Sequence, residues 1–130
     1  MPFEIRQEFL FDAAHRFPGT PRGHKYHGVH GHTFRVEVCI VGEPAGRHGF
    51  VVDLAELEQA CNRLRGKLDH ANLNDIPGLR APSLENIAVW IWNRLSRKYP
   101  GLSRVSVSRD SSRHGCSYSG PPPRAGKRSR

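Results

Sequence analysis

The sequence predicts a single-domain α+β protein in which two helices cover one face of a four-stranded antiparallel sheet. Three observations lead to this fold class. Apolar residues alternate in the first forty positions and again after position 102, two central segments repeat them at helical spacing, and 130 residues suffice for one domain. The predicted order is β-β-α-α-β-β, which forms two layers around one core.

The first two predicted strands are recognised by their alternating side chains. The first strand carries its alternate residues at Phe3, Ile5, Gln7, Phe9 and Phe11, and the second carries them at Phe34, Val36, Val38 and Ile40. Successive side chains of a strand point to opposite faces, so each set shares one face of the sheet. A segment rich in Gly, Pro and Arg at positions 42–49 then predicts a turn or a wide loop.

The two predicted helices each begin at a residue suited to cap them. Asp53 precedes the first helix, and Glu56 stands three residues later, which is a capping-box pattern. The apolar stripe of this helix is formed by Leu54, Leu57, Cys61, Leu64 and Leu68. Ser83 is placed to cap the second helix. Its predicted buried face is formed by Leu84, Ile87, Ala88, Ile91 and Leu95.

Two shorter strands and a basic tail complete the predicted organisation. Leu102, Val105 and Val107 indicate the third strand, which ends near Asp110, and residues 115–118 indicate the fourth. From position 121 the chain contains prolines and basic residues without a large apolar side chain. Such a segment cannot bury enough surface to become ordered. We therefore expect a folded domain at 1–120 and a disordered basic tail at 121–130.

Composition excludes several classes of protein. No apolar stretch approaches the roughly 18 residues of a membrane span, and the first residues lack an apolar signal region, so a cytoplasmic location is expected. The three cysteines are widely spaced and do not form a disulfide framework. The tail carries four of the eight net positive charges but no aromatic residue, which disfavours nucleic-acid binding. Membrane binding is not expected.

Three histidines form a predicted metal site. His30 and His32 stand two residues apart on one strand, so both imidazoles project from the same face. His15 follows the other alternating strand, and pairing of the two strands would bring it beside them. Three imidazoles with an open fourth position are typical of a catalytic zinc site, so Zn²⁺ is the expected cofactor. Because the chain contains eight histidines, surface histidines without a ligand are the alternative.

Five segments together resemble the 6-pyruvoyltetrahydropterin synthase / 6-carboxytetrahydropterin synthase family, and most closely its bacterial 6-carboxytetrahydropterin synthase branch. In chain order they are Phe11–His15, His30–His32, Leu68–His70 followed by Leu73 and Asn74, Pro82–Ala88, and Gly115–Tyr118. Each segment alone is weak evidence, but five in the same order with compatible spacing form a specific pattern. The resemblance covers nearly all of the chain from position 3 to position 120.

The resemblance implies a tunnelling fold assembled through its sheet edges, commonly as a hexamer. Short edge strands expose unpaired backbone groups, which closure into an oligomeric barrel satisfies. In this family the active site lies between subunits. By analogy, Asp69 and His70 of one chain would approach the histidine cluster of its neighbour.

The resemblance also implies a substrate and a reaction. The substrate would be 7,8-dihydroneopterin triphosphate, converted to 6-carboxytetrahydropterin with release of acetaldehyde and triphosphate, on the path to 7-deazapurines such as queuosine precursors. Zinc would act as a Lewis acid on the side-chain hydroxyls. His70, oriented by a carboxylate, would shuttle protons, since imidazole titrates near neutral pH. A family glutamate that holds the pterin is matched here by Asp110.

Tyr26 is the main departure from the family pattern. Four residues before the first histidine of the H-x-H pair, family members carry a cysteine as general base, and this chain carries Tyr26. A free phenol titrates near pH 10 and a free thiol near 8.5, so tyrosine is the weaker base by roughly 2 kcal/mol. His24 and His27 are alternative bases in the same loop. Retro-aldol cleavage of the pterin side chain and a catalytically silent zinc- or pterin-binding relative therefore remain alternatives.

Overall fold

Four antiparallel strands and two helices make up the fold in a computed structural model that describes residues 2–122. In chain order the elements are β1 (Phe3–His15), β2 (His30–Gly42), α1 (Leu54–Leu68), α2 (Leu84–Leu95), β3 (Leu102–Arg109) and β4 (His114–Tyr118). Short 3₁₀ turns at Leu73–Asp75 and Asp110–Ser112 follow α1 and β3. The predicted order β-β-α-α-β-β is confirmed. Residues 123–130, most of the predicted tail, lie outside the described residues.

The sheet is a meander in which each strand pairs with its neighbours in chain order, β1-β2-β3-β4. The register of β1 against β2 places His15 opposite His30 and Ala13 opposite His32. Directly opposed residues of an antiparallel pair project on the same face. The face that carries the histidines therefore continues into Phe11 and the other buried residues of the core.

Both helices pack on that same apolar face. Helix α1 packs on β1, and α2 packs on β3 and β4. The caps expected from the sequence are present: the Asp53 carboxylate accepts from the Ala55 amide at 2.8 Å, and the Ser83 hydroxyl accepts from the Asn86 amide at 3.1 Å. Each cap satisfies a backbone donor that has no partner within its helix. The layered α+β architecture predicted from the sequence is confirmed.

The segment after α1 closes the outer edge of β1 near its C-terminal end. The amide of His70 donates to the Asp12 carbonyl, the amide of Ala14 donates to the Ala71 carbonyl at 3.0 Å, and the Asp69 carboxylate accepts from the Asp12 amide at 2.9 Å. These bonds satisfy backbone groups that an edge strand would otherwise expose. They also fix Asp69 and His70 beside the strand that carries His15.

The lengths and apolarity of the helices bear on membrane insertion. Within residues 2–122, neither helix combines the length and the hydropathy that crossing a bilayer requires.

Candidate functional site

Three histidines converge where β1 ends and β2 begins. His15, His30 and His32 can each offer one ring nitrogen so that all three lie within 4.8 Å of one another. The ring centroid of His15 lies 4.5 Å from that of His30 and 5.1 Å from that of His32. Strand pairing alone produces this convergence, because His15 and His30 are opposed in the register. The predicted cluster is therefore formed within one chain.

The Nε2 atoms of two of these histidines, His15 and His30, have no hydrogen-bond partner. His15 Nδ1–H donates to the Pro82 carbonyl and His30 Nδ1–H donates to the Gly28 carbonyl, both at 2.9 Å. Each bond leaves Nε2 as the lone-pair nitrogen, and both Nε2 atoms are buried without a partner. Buried polar atoms are nearly always paired, and metal-bound histidines usually donate their other N–H to a carbonyl or carboxylate. The three residues fit a divalent metal of the zinc type.

Burial favours the neutral form of two of these imidazoles, those of His15 and His32. Desolvation lowers the pKa of His15, against a smaller opposing effect of its bond to Pro82. Desolvation and then the nearby Arg109 guanidinium lower the pKa of His32 to about 4. Metal ligation requires the unprotonated ring, so the lowered pKa values of His15 and His32 favour cation binding at neutral pH.

Tyr26 lies beside the histidine cluster in the loop between β1 and β2. Its ring stacks on that of His30 with centroids 5.6 Å apart, and its carbonyl accepts from the Phe17 amide at 2.9 Å. A cavity of about 340 Å³ is lined by His15, Phe17, Thr20, Tyr26, Ser83, Leu84, Glu85 and Arg109. We call this the Tyr26 cavity. The side chain at position 26 therefore reaches the histidine cluster.

His24 and His27, the alternative bases, hold the loop together. His24 Nδ1 accepts from the Tyr26 amide at 3.0 Å, and His27 Nδ1–H donates to the Thr20 carbonyl at 2.9 Å. Neither residue lines the Tyr26 cavity. Their bonds shape the loop that presents Tyr26.

Asp69 and His70 form a hydrogen-bonded pair. His70 Nδ1 lies 2.9 Å from Asp69 Oδ2, and Arg65 lies 3.4 Å from the same oxygen. His70 has a left-handed backbone conformation (φ 60°), and its side chain is 80% exposed. With His32, His70 lines an open cavity of about 510 Å³ beside β1. The carboxylate fixes the orientation of the imidazole, as a proton shuttle requires.

The Asp69 carboxylate contributes stability that depends on pH. Its pKa is lowered first by the Asp12 amide and then by His70. A depressed folded pKa means that the contribution is complete above the unfolded value of about 3.9 and is lost as pH falls through the folded value. We expect Asp69→Asn to lower Tm at pH 7 and the gap from wild type to narrow below about pH 4. Thermal denaturation across pH tests this, and a constant gap would contradict it.

Asp110 and Arg109 lie on different sides of the sheet end. Asp110 follows β3 in the 3₁₀ turn, its side chain is 63% exposed, and it forms an ion pair with Arg35 at 3.1 Å. Arg109, the last residue of β3, is only 8% exposed and lines the Tyr26 cavity. Within one chain, the structure thus groups Arg109 rather than Asp110 with the histidines. Sequence reasoning missed Arg109, although Val105, Val107 and Arg109 continue one alternating pattern.

None of the three cysteines is placed to act as a base at the histidine cluster. Cys39 and Cys61 are buried, and Cys116 is half-buried on β4. Burial raises the pKa of all three thiols, that of Cys61 to about 11. A thiol is nucleophilic as its thiolate, so raised pKa values and burial both slow alkylation.

We expect native protein to resist iodoacetamide near neutral pH, with intact mass and activity unchanged. Mass spectrometry of native and denaturant-unfolded samples tests this, because unfolding exposes all three cysteines. The Tyr26→Cys variant is the matched control and should gain one label in the native state. Rapid labelling of the native wild type would contradict the prediction.

Comparison with known proteins agrees with the family resemblance and with the fold. The sequence profile of the family described as 6-pyruvoyl tetrahydropterin synthase matches residues 4–121. A dihydroneopterin monophosphate aldolase of Pyrococcus furiosus is 38% identical over 100 residues, covering 75% of this chain and 81% of that protein. A 6-carboxy-5,6,7,8-tetrahydropterin synthase of Synechocystis is 37% identical over 109 residues, covering 79% and 83%.

The fold itself matches a solved structure. The 6-pyruvoyl tetrahydropterin synthase of Caenorhabditis elegans superposes with a TM-score of 0.82 at 23% identity, covering 93% of this chain and 97% of that one. This match confirms the tunnelling fold. The named relatives confirm the prediction of an enzyme, a lyase of the pterin synthase type. On the match of its sequence from position 4 to position 121, the chain belongs to the 6-pyruvoyl tetrahydropterin synthase family.

Proposed function

We propose that the protein is a zinc-dependent lyase that converts 7,8-dihydroneopterin triphosphate and water to 6-carboxytetrahydropterin, acetaldehyde and triphosphate. Its place would be the cytoplasmic synthesis of 7-deazapurines of the queuosine type. The observation that carries the proposal is the cluster of three histidines with two buried, unpartnered Nε2 atoms. The Synechocystis relative, named as a 6-carboxytetrahydropterin synthase, supports the choice of reaction.

The residues of the site have separate tasks in this reaction. A zinc ion held by His15, His30 and His32 would supply Lewis-acid polarisation of the substrate hydroxyls. The Tyr26 phenol, beside this cluster, is the proposed proton acceptor from the substrate side chain. His70, oriented by Asp69, is the proposed proton shuttle.

Asp110 remains the proposed ligand of the amino-pyrimidine edge of the pterin. A carboxylate can accept two hydrogen bonds from that edge, one at each oxygen. In the single chain both Asp110 oxygens face Arg35, at 3.1 to 3.3 Å from its Nε. Binding of the pterin would therefore require this exposed ion pair to rearrange, and such pairs contribute little stability.

Retro-aldol cleavage of the same side chain is the second candidate. It is favoured by Tyr26 in place of a thiol and by the Pyrococcus relative named as a dihydroneopterin monophosphate aldolase. Breaking the bond between the first two side-chain carbons leaves a 6-hydroxymethyl group and a two-carbon aldehyde that carries the phosphate. This route needs deprotonation of a hydroxyl.

A product assay distinguishes the candidates. Purified protein loaded with zinc is incubated with 7,8-dihydroneopterin triphosphate, and products are identified by mass spectrometry. Acetaldehyde with 6-carboxytetrahydropterin supports the first candidate, and a 6-hydroxymethyl pterin supports the second. Absence of any product from this substrate and from the monophosphate would reject both and favour a silent binder.

We further propose a homo-oligomer, a hexamer, in which each active site uses two chains. His70 is 80% exposed in the single chain and lies on the segment that closes the C-terminal end of β1, where the histidine cluster of a neighbouring chain could approach its imidazole. His30→Ala and His70→Ala should each lower turnover by about 10²-fold or more. Mixed after joint refolding, the two inactive proteins should recover part of the activity at mixed interfaces. A monomer by light scattering would contradict the assembly.

A further inference from the structure

Arg109 is a buried cation that has no carboxylate partner in the described part of the chain. The residue is 8% exposed, and its Nε is buried without a hydrogen-bond partner. Its terminal nitrogens donate to two imidazoles, NH1 to His32 Nε2 at 3.3 Å and NH2 to His114 Nδ1 at 3.1 Å. Among residues 2–122, no Asp or Glu lies within ion-pair distance of this guanidinium.

Such an arrangement is costly unless something neutralises the charge. A guanidinium removed from water loses its hydration, and neutral imidazole acceptors restore hydrogen bonds but no opposite charge. The lone pair of His32 Nε2 can also be used only once. If that nitrogen ligates a metal, Arg109 NH1 loses this acceptor while a second cation arrives nearby. An anion bound between the Arg109 guanidinium and the metal would then neutralise positive charge at both.

The cavity next to Arg109 offers the room for that anion. The Tyr26 cavity has a volume of about 340 Å³ and is bounded by Arg109 on one side. Glu85 also lines the cavity but makes no ion pair with Arg109. The ring of Tyr26 lies 5.6 Å from the guanidinium carbon, so the cation has an aromatic wall. Five N–H donors in a planar fork suit a pair of oxyanion oxygens.

We propose that Arg109 binds an oxyanion of the ligand, a carboxylate or a phosphate, inside the Tyr26 cavity. This goes beyond the proposed function, because it assigns the chemistry of one subsite whichever ligand enters. At the end of β3, the family resemblance led us to expect that an acid, Asp110, would contact the ligand. The proposal assigns a ligand contact there to a cation, Arg109. A ligand with a negative group near its reacting end is therefore selected over a neutral one.

The first test reads the Arg109 guanidinium directly. Buried arginine Nε–H groups give resolvable proton–nitrogen correlations, and the Arg109 signal is assigned by its absence in Arg109→Lys. Inorganic phosphate and formate are titrated separately into zinc-loaded wild-type protein. We expect a saturable shift of the Arg109 signal with at least one of them. Absence of a shift with both would overturn the proposal.

The second test measures selectivity with matched pterins. Binding of pterin-6-carboxylate and 6-hydroxymethylpterin is followed by pterin fluorescence in wild type, Arg109→Gln, Arg109→Lys and Arg97→Gln. We expect wild type and the surface control Arg97→Gln to prefer the carboxylate by about tenfold or more. Arg109→Gln should lose the preference and Arg109→Lys should keep part of it. Equal preference in wild type and Arg109→Gln would overturn a carboxylate subsite.

The outcomes separate this proposal from the proposed function. A phosphate-induced shift without carboxylate preference identifies a phosphate subsite, and the reverse identifies a carboxylate subsite. A wild-type protein that turns over no pterin but shows a saturable shift rejects the lyase and keeps Arg109 as an oxyanion ligand. Should Arg109→Gln fail to fold, wild type and Arg109→Lys still decide the result, because the shift is read on the native protein.

Discussion

Replacing His15, His30 or His32 by alanine, one at a time, should reduce bound zinc from about one ion per chain to a small fraction of that value. A three-histidine site that loses one ligand keeps two, and a catalytic zinc needs three protein ligands. Pterin turnover should fall with the metal content. Metal analysis of dialysed protein by mass spectrometry checks the stoichiometry, independently of any activity.

His48→Ala is the matched control for this experiment. His48 is an exposed histidine that stacks on Phe50 in the loop after β2, away from the cluster. Its removal should leave zinc content unchanged. Near-stoichiometric zinc in all three cluster variants would show that the metal is held elsewhere in the protein. Zinc lost equally from the control would indicate non-specific binding.

Tyr26→Cys should raise turnover of 7,8-dihydroneopterin triphosphate or shift its products toward 6-carboxytetrahydropterin. A free thiol titrates about 1.5 pH units below a free phenol, so at neutral pH it is ionised roughly thirtyfold more often. The position itself is suitable, because the ring at 26 stacks on His30 and lines the cavity that contains His15. Steady-state kinetics with product identification measure the effect.

Tyr26→Phe separates the possible roles of the phenol. If the phenol is the base, removing its hydroxyl should lower turnover by about 10²-fold to 10⁴-fold while zinc content stays constant. The ring remains, so stacking on His30 is preserved and loop folding is not the cause. If neither substitution alters rate or products, Tyr26 is a wall of the cavity and the base lies elsewhere. His70 is then the next residue to test.

The histidine cluster was predictable from sequence because strand periodicity and pairing are local rules. Two histidines at positions i and i+2 share a face in any strand, and His15 ends the only other long alternating run before α1. The caps at Asp53 and Ser83 were predictable for the same reason, since each bond reaches two or three residues along the chain. The structure adds the carbonyl partners that leave Nε2 free: Gly28 is local to His30, but Pro82 is 67 residues from His15 in the chain.

The surroundings of Asp110, the acid expected near the end of β3, could not be predicted from the spacing of residues in the sequence. Asp110 and Arg109 are adjacent in sequence, and a shift of one residue exchanges the cavity for the opposite side of the sheet. Strand β3 ends at Arg109, so the chain enters a 3₁₀ turn at Asp110, and the Asp110 side chain pairs with Arg35. Only the end of the strand decides which of the two reaches the histidines.

The sequence by itself determined the α+β class, the order of the elements and the three histidines, because each depends on periodicities of two or three to four residues. The tertiary structure decided how Asp69 and His70 are fixed to the edge of β1, 57 residues away in the chain. It also decided that Arg109 is buried without a counter-ion among residues 2–122. Contacts between distant segments and the charge balance of a cavity depend on packing in three dimensions. Local patterns in the chain do not encode them.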